Sequence, residues 1–520
     1  MRKRVVLSVI LAIFLTLSGC SSKDSSQSEA TSGTSTTETV AVNAADMFTD
    51  RDMEIGYDEE TSIPITLSGE NATCDSDAVQ ISESTITITE EGTYLLSGTL
   101  NDGMIIVDVE DTEKVQLVLD NAKITNTTSA AIYVRQADKV FITTASGSEN
   151  TLINAGEYIA IDDNNIDAVI FAKSDLTLNG AGTLTIDATA GHGIVSKDDL
   201  ALTSGTYTIT AQNQGLSGKD SVRIANGTYT IDSGKDGIHA ENSDDTSLGF
   251  LYIADGNYQI ASDGDGLSAS AYLQIDSGTF TITTGEGSES VTMSSETTNF
   301  GKGPVLQQST ETSEEDSVSQ KGIKADGTIT ILNGTITTDT VDDSIHAGGD
   351  ILLTDGTYEL KSGDDAIHSD TAVVIQKGTF TIPYCYEGIE GLSVTIDGGT
   401  FDIESEDDGL NAAGGADQSG FGGGGPMQDQ FSGDSNSYIT INGGNFTIVS
   451  KGDCMDSNGD LTINGGVLNL TCNGNGNTAL DTDGTYSNNG GDVTTNDGSE
   501  NNPGGMGGGM EKGKGRGGQP

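Results

Sequence analysis

A five-residue phrase, in which a turn glycine precedes alternating polar and large apolar residues, returns ten times along this chain. It reads Gly-Thr-Tyr-Thr-Ile from Gly205 and Gly227, and Gly-Thr-Phe-Thr-Ile from Gly278 and Gly378. The commonest interval between successive phrases is 22 residues. A fixed period with strand-like alternation and regular turns is typical of a solenoid, in which each repeat covers its neighbour.

One repeat, residues 329–350, shows how the chain winds. It contains three short apolar segments separated by turns at Asn333-Gly334, Asp342-Asp343 and Gly348-Gly349. Three strands and three turns in one period make one coil of a parallel β-helix. We therefore predict an all-β fold, a single-stranded parallel β-helix of about 14 coils with ~22 residues each.

The composition restricts the possible partners. The chain has 520 residues, a net charge of −56 and no tryptophan. Affinity for phosphates depends on basic patches, so nucleic-acid binding is excluded as a function class. So large a negative charge instead indicates bound cations, a cationic partner or a role of the charge in solubility alone.

The N-terminus predicts export and anchoring. Residues 1–19 combine three basic residues with a short apolar run, as a signal peptide does. The run ends Leu-Ser-Gly before Cys20, which resembles a bacterial lipobox with Cys20 as the lipidated residue. An ordinary cleaved signal with an incidental cysteine is the alternative. We expect a protein held on the extracellular face of the bacterial membrane only by this lipid anchor.

The rest of the chain divides by composition. We predict a disordered tether, an N-terminal cap, the β-helix with two loop insertions, and a disordered Gly/Asn-rich tail. Their bounds are 20–45 for the tether, 46–85 for the cap, 86–485 for the helix, 284–319 and 414–437 for the insertions, and 486–520 for the tail.

One large apolar side chain per repeat should form a ladder when coils stack. Exchange between aromatic and aliphatic residues at this position indicates a buried ladder rather than an exposed platform for sugar stacking. Its members are Tyr207, Tyr229, Tyr258, Phe280, Ile336, Tyr358, Phe380, Phe401, Phe446 and Leu468.

A second ladder, the acidic row, precedes one strand of each coil. Stacked carboxylates ~5 Å apart would repel each other by roughly 3 kcal/mol per pair, which favours a counter-charge. Hard oxygen ligands suit Ca²⁺; the alternative is a solvated row of turn aspartates. The predicted calcium ligands, including acidic residues just before the row, are Asp236, Asp265, Asp342, Asp343, Asp364, Asp365, Glu387, Asp407, Asp408 and Asp453.

A polar row follows three residues after the acidic row. It contains His239, Ser268, Lys324, His346, His368, Glu390 and Asn411. We interpret it as either a solvated face or a groove of polar groups for a carboxylated polymer, with Lys324, His346, His368 and Glu390 as the candidate contacts. A transition-metal site at His346 and His368 is a further possibility, although a third nitrogen ligand is not evident.

The lipobox, the Gly-Thr-Tyr/Phe-Thr-Ile coils, the Asp-Gly-Ile-His and Asp-Ala-Ile-His turns and the Gly/Met tail together resemble a known family. It is the family of bacterial carbohydrate-binding β-helix proteins with pectate-lyase-like topology, and the resemblance covers roughly residues 80–485. It implies a right-handed β-helix, bound calcium, and binding of plant cell-wall polysaccharides such as polygalacturonate and cellulose. The acid-poor coil that contains Lys321 and Lys324 departs from this pattern and would interrupt a row of ions.

Three functions remain open. The first is a non-catalytic, monomeric surface lipoprotein that holds an acidic or plant cell-wall polysaccharide through calcium. The second is a calcium-dependent uronate lyase, for which Lys321 or Lys324 is the candidate base. Nearby carboxylates should raise the pKa of such a lysine, which opposes that role. The third is a structural or adhesive surface rod.

Overall fold

The computed structural model describes residues 41–293, 319–413 and 437–503, which lie in one compact unit. Their regular secondary structure is almost entirely β-strand, as the sequence predicts. No helix among them is long and apolar enough to cross a membrane. The helical segments are single 3₁₀ turns, at Ala44–Asp46, Ser288–Ser290 and Ser499–Asn501.

Each regular coil contributes one strand to each of three sheets. In one coil, Ile345–Ala347 lies in sheet A, Ile351–Leu353 in sheet B and Thr357–Ser362 in sheet C. Each pairs in parallel with its equivalent about 22 residues later, for example Ile345 with Ile367. Successive coils therefore stack in register, and the predicted parallel β-helix is confirmed.

Sheet A carries the acidic row immediately before its strands. Within the residues that the structure describes it contains fourteen strands, in agreement with the predicted number of about 14 coils. They are Thr85–Ile88, Met104–Asp108, Ile132–Gln136, Ala168–Ala172, His192–Ser196, Leu216–Gly218, Ile238–Ala240, Leu267–Ala269, Ile323–Ala325, Ile345–Ala347, the first part of Ile367–Ile375, the first part of Ile389–Ile396, Leu410–Ala412 and Met455–Ser457.

Sheet B follows sheet A in each regular coil. Its strands are the first parts of Gly92–Leu100 and Lys114–Asn126, then Lys139–Thr144, Asp175–Gly180, Asp199–Leu202, Ser221–Ile224, Phe250–Ile253, Leu273–Ile275, Ile329–Ile331, Ile351–Leu353, the last parts of Ile367–Ile375 and Ile389–Ile396, Tyr438–Ile441, Asp460–Ile463 and Tyr486–Asn488.

Sheet C completes each coil. Its strands are Ile63–Gly69, the last parts of Gly92–Leu100 and Lys114–Asn126, then Glu149–Asn154, Thr183–Ala188, Thr206–Ala211, Thr228–Ser233, Asn257–Ser262, Thr279–Thr284, Thr335–Thr340, Thr357–Ser362, Thr379–Tyr384, Thr400–Ser405, Asn445–Ser450, Val467–Cys472 and Asp492–Thr495.

The aromatic ladder lies on the inner face of sheet C. Its side chains are at most 3% exposed, so the prediction of core packing is confirmed. Neighbouring rings lie parallel, with centroids 4.4 Å apart for Tyr358 and Phe380 and 5.0 Å apart for Tyr229 and Tyr258. Glycine is required two residues before the ring, as Gly356 shows. Its φ is 137°, and a Cβ there would lie 2.9 Å from the Tyr358 ring.

The predicted cap, residues 46–85, contains two different parts. Residues 42–56, here called the N-terminal strap, lie against sheet B; the strap begins inside the predicted tether and continues into the cap. The strand Ile63–Gly69 already belongs to sheet C, and the antiparallel pairings of the described residues also fall in this region. These join Ile63–Gly69 to Ala72–Thr73 and Val79–Ser82 to Thr85–Ile88.

Asp52 holds the strap in place. Its carboxylate is 1% exposed, lies 2.7 Å from Lys139 Nζ and accepts a 2.6 Å hydrogen bond from the Thr177 hydroxyl. Burial opposes the charge of Asp52, but these contacts outweigh it and lower its pKa. The strap is therefore fixed by a buried ion pair as well as by the contact between the rings of Phe48 and Tyr252.

The coils continue beyond the predicted end of the helix. Tyr486–Asn488 extends sheet B and Asp492–Thr495 extends sheet C, so the boundary at 485 was placed too early. These strands lack the aliphatic alternation of earlier coils, which is why the sequence did not reveal them. The signal segment, Cys20, most of the tether, residues 294–318 and 414–436 of the insertions, and the tail from 504 lie outside the described residues.

Candidate functional site

The acidic row forms one column, because the strands that follow it are in register. Ile345 pairs with Ile367, so Asp343 and Asp365, two residues earlier, occupy equivalent positions on adjacent coils. The same register places Lys321 in this column. In coil order the column reads Asp236, Asp265, Lys321, Asp343, Asp365, Glu387, Asp408 and Asp453.

One oxygen of most carboxylates in the row joins its coil to the next. Asp343 Oδ1 accepts a 3.0 Å hydrogen bond from the backbone N–H of Asp365. Equivalent bonds run from Asp265 N–H to Asp236 at 2.9 Å, Lys321 N–H to Asp265 at 2.9 Å, Glu387 N–H to Asp365 at 3.2 Å, Asp453 N–H to Asp408 at 2.6 Å, and from Thr478 N–H to Asp453.

The row is buried rather than solvated. Asp343 and Asp365 are 0% exposed and Asp265 is 2% exposed. A buried carboxylate needs hydrogen bonds or a counter-charge. The alternative interpretation as solvated turn aspartates is therefore wrong for these residues.

Lys321 supplies that counter-charge within the chain. Its Nζ lies 2.7 Å from Asp342 Oδ1 and 2.8 Å from Asp343 Oδ2. Although burial opposes both charges, the ion pair raises the pKa of Lys321 and lowers that of Asp343. Lys321 thus remains a cation beside these carboxylates and is unsuited as a general base, as the sequence indicated.

The second oxygen of several row carboxylates faces the polar row three residues later. His239, His346 and His368 each place Nδ1 near the preceding row aspartate, at 2.6, 2.8 and 3.0 Å respectively. Lys324 Nζ lies 3.7 Å from Asp265. Acidic and polar rows therefore form one network rather than two independent features.

The polar row is only partly accessible. The side chains of Lys324, His346 and Glu390 are 28%, 14% and 13% exposed, whereas that of His368 is 1% exposed. His368 therefore cannot contact a polymer at the surface, and its prediction as a sugar contact needs correction. The sequence pattern places it in the row but does not reveal how deeply the row lies.

Beyond Asp365, which still contacts His368, the described part of the row has no histidine three residues later. Burial and neighbouring carboxylates raise the pKa of Asp365, Glu387 and Asp408 well above their usual range. Asp364 is 3% exposed, and Asp407 accepts a 2.8 Å hydrogen bond from the Tyr386 hydroxyl. A bound cation would stabilise the charged forms of these acids.

Three acids at this end, Asp453, Asp456 and Asp481, form the C-terminal acid cluster. Their nearest oxygens lie within 4.8 Å of one another; Asp453 is buried, and Asp456 and Asp481 are half-buried. Burial and the neighbouring charges raise the pKa of Asp453 to about 8 and that of Asp456 to about 7. Such an all-oxygen set fits Ca²⁺.

Sequence reasoning predicted only the first member of this cluster. Asp456 pairs with Asn411 in sheet A and so continues the polar row. The signal was present, because Asp456 follows Met455 just as Asn411 follows Leu410. Asp481 lies beyond the last strand of sheet A, where the repeat weakens.

Sequence and structure comparisons relate this chain to known proteins. The sequence profile of a family described as "Carbohydrate-binding domain-containing protein" matches residues 82–366 and 364–502, more than half of the chain. A protein of that description from Acetivibrio thermocellus is 36% identical over 211 residues, which are 40% of this chain and 65% of that relative, so less than two thirds of its length is matched.

A solved structure, described as a polysaccharide lyase-like protein from C. thermocellum in a gadolinium derivative, is similar to part of the chain. It shares 35% identity, covers 43% of this chain and 91% of its own, and has a TM-score of 0.41. The family match spans the coils that carry both the acidic and the polar row. The chain therefore belongs to the family of carbohydrate-binding domain-containing proteins.

Proposed function

We propose that this protein binds acidic polysaccharide, such as plant cell-wall polygalacturonate, through calcium held at the C-terminal acid cluster. Both the protein, with a net charge of −56, and such a polymer are anionic. Direct contact between them would be repulsive, and a divalent cation between carboxylates of each partner removes the repulsion. The family description supports carbohydrate as the ligand class.

The arrangement of Asp453, Asp456 and Asp481 carries the proposal. Three carboxylates converge where two of them are half-buried, so an ion bound there would keep positions open toward the surface. Ca²⁺ takes six to eight oxygen ligands in flexible geometry, and three carboxylates leave room for uronate oxygens and water. Polymer carboxylates would complete the coordination of the ion.

The N-terminal half of the acidic row has a different role in this proposal. Asp236 and Asp343 already contact His239, Lys321 or His346, and Asp265 lies near Lys324. Their charges are compensated within the protein. We accordingly assign calcium to the C-terminal acids, and the N-terminal ones to holding the coils together.

We further propose a location at the cell surface and a non-catalytic role. Lipidation of Cys20 would present the helix at the extracellular face of the bacterial membrane. A non-catalytic role is consistent with the raised pKa of Lys321, which disfavours it as the base that β-elimination requires. We expect a monomer that retains, rather than cleaves, its polymer.

A pull-down on immobilised polygalacturonate tests the proposal. The protein should be retained with Ca²⁺ and released by chelator. The double variant Asp456→Asn/Asp481→Asn should lose retention, while the exposed, similarly C-terminal control Asp492→Asn should keep it. Retention that persists unchanged in chelator contradicts calcium bridging, and release of unsaturated uronides, detected by their absorbance, would instead identify a lyase.

A further inference from the structure

His368 occupies the most enclosed position among the polar-row histidines. Its side chain is 1% exposed, and its Nδ1 lies 3.0 Å from Asp365 Oδ2 and 3.1 Å from Glu390 Oε2. A single ring nitrogen thus faces carboxylate oxygens from two adjacent coils. This convergence follows from the register of Ile367 with Ile389, which aligns His368 with Glu390.

Hydrogen bonding among the described residues does not satisfy this group. Glu390 Oε2 is buried and makes no well-aligned hydrogen bond, although it lies 3.1 Å from His368 Nδ1. His368 Nε2 is buried and also lacks one; its nearest carboxylate oxygen, Asp370 Oδ1, is 3.6 Å away. Buried polar atoms without partners are uncommon, and an ion bound at Nδ1 would account for the unpartnered Glu390 Oε2.

We propose that Asp365, His368 and Glu390 bind a divalent transition metal of the zinc class. The separations of 3.0 and 3.1 Å are close to the distance of about 3.3 Å between neighbouring ligands of a tetrahedral zinc ion. A metal would replace the Nδ1 proton and contact Nδ1, Oδ2 and Oε2 together. The Asp365 Oδ1 bond to Glu387 N–H would keep that carboxylate oriented.

A fourth ligand is available nearby. Ligand atoms of Asp343, His346 and His368 also lie within 4.8 Å of one another, and the rings of His346 and His368 have centroids 4.9 Å apart. A small rotation of the His346 side chain, which is 14% exposed, could add a second imidazole. The alternative fourth ligand is water.

The ligand chemistry separates this site from the proposed calcium site. Imidazole nitrogen suits zinc, copper, nickel and iron, whereas calcium prefers oxygen alone. The C-terminal acid cluster contains no histidine. Binding of a transition metal at His368 therefore does not depend on polysaccharide binding.

Cobalt(II) is a suitable probe, because its visible d–d absorption reports coordination geometry and ligand type. Protein stripped with a chelator should bind Co²⁺ with intense tetrahedral-type bands, and Zn²⁺ should displace them. Excess Ca²⁺ should leave them in place. His368→Gln should abolish the bands, and Glu390→Gln should weaken Co²⁺ binding at least about tenfold.

His239→Gln provides the matched control, since His239 occupies the same row and contacts Asp236 in the same way. Its Co²⁺ spectrum should equal that of the natural chain. Circular dichroism establishes that each variant is folded; if buried His368→Gln is not, the more exposed Glu390→Gln decides. Absence of nitrogen-ligand bands in the natural chain, or unchanged Co²⁺ binding in a folded His368→Gln or Glu390→Gln variant, would overturn the site.

Discussion

Asp343 Oδ1 accepts a hydrogen bond from the backbone N–H of Asp365, its equivalent one coil later, at 3.0 Å. The same carboxylate contacts Lys321 on the preceding coil and His346 on its own. One side chain therefore links three successive coils. The acidic row is a structural element along the helix, and only its C-terminal part is left for an external cation.

Removing Lys321 tests this internal compensation. Lys321→Met should destabilise the protein by about 3–5 kcal/mol, because Asp343 would keep a buried charge without its lysine partner. The measurement is chemical denaturation followed by circular dichroism. Lys377→Met, at an exposed turn, should change stability little; equal effects of the two substitutions would contradict the role of Lys321.

The tyrosines of the aromatic ladder have a second role at the turns. Tyr229 donates a 3.0 Å hydrogen bond to the carbonyl of Asn226, and Tyr358 donates one of 2.9 Å to Asp355. Tyr229→Phe should therefore lower stability by about 1 kcal/mol while keeping ring stacking. The thermal midpoint should fall for this variant and not for Tyr438→Phe, whose side chain is on the surface.

His192 gives the protein a specific pH dependence. Burial is the main cause that lowers its pKa to about 4, and nearby Lys197 adds to it; Asp167, at 3.9 Å, does not offset these effects. The unfolded chain binds a proton on this residue below about pH 6.5 and the folded chain does not. The contribution of His192 to the free energy of unfolding is therefore fully present above about pH 6.5 and is lost as the pH falls toward 4.

The difference amounts to roughly 3 kcal/mol, and His192→Gln should remove it. Thermal midpoints measured between pH 7 and pH 4 should then fall less steeply in the variant than in the natural chain. Parallel curves for the two proteins would show that His192 is protonated in the folded state.

The N-terminal strap should depend on Asp52. Asp52→Asn would remove the ion pair with Lys139 and leave that lysine buried, at a cost of about 3 kcal/mol. Hydrogen exchange should rise in residues 42–56 more than in sheet C. Asp50→Asn, two residues earlier and exposed, should leave exchange unchanged. Because the pKa of Asp52 is lowered, the same loosening should occur in the natural chain at strongly acidic pH.

The features of the fold that are determined by the repeat period could be predicted from the sequence. Equivalents of the turn glycine Gly356 and of the aromatic residue Tyr358 recur along the chain, most often every 22 residues. This period determines which residues stack. It therefore predicted the sheets, the buried ladder and the vertical alignment of Asp343 with Asp365. It also indicated that Lys321 interrupts the acidic row.

The burial of individual side chains and their contacts with distant segments could not be predicted from the repeat. The polar residue types at positions 365 and 368 suggested a surface groove. In the structure, Asp365 and His368 contact each other and both side chains are buried. The strap around Asp52 has no period, since its contacts with Lys139 and Thr177 join segments far apart in sequence. Such contacts depend on the path of the strap across sheet B. A local sequence pattern does not predict that path.

The central claim is that calcium at the C-terminal acid cluster connects this protein to an acidic glycan. Calorimetric titration of oligogalacturonate into the protein, with Ca²⁺ and with chelator, tests it most directly. The natural chain should bind only with Ca²⁺, and the double variant Asp456→Asn/Asp481→Asn should not bind at the same calcium concentration. Equal affinity with and without the ion, or full binding by the double variant, would contradict it.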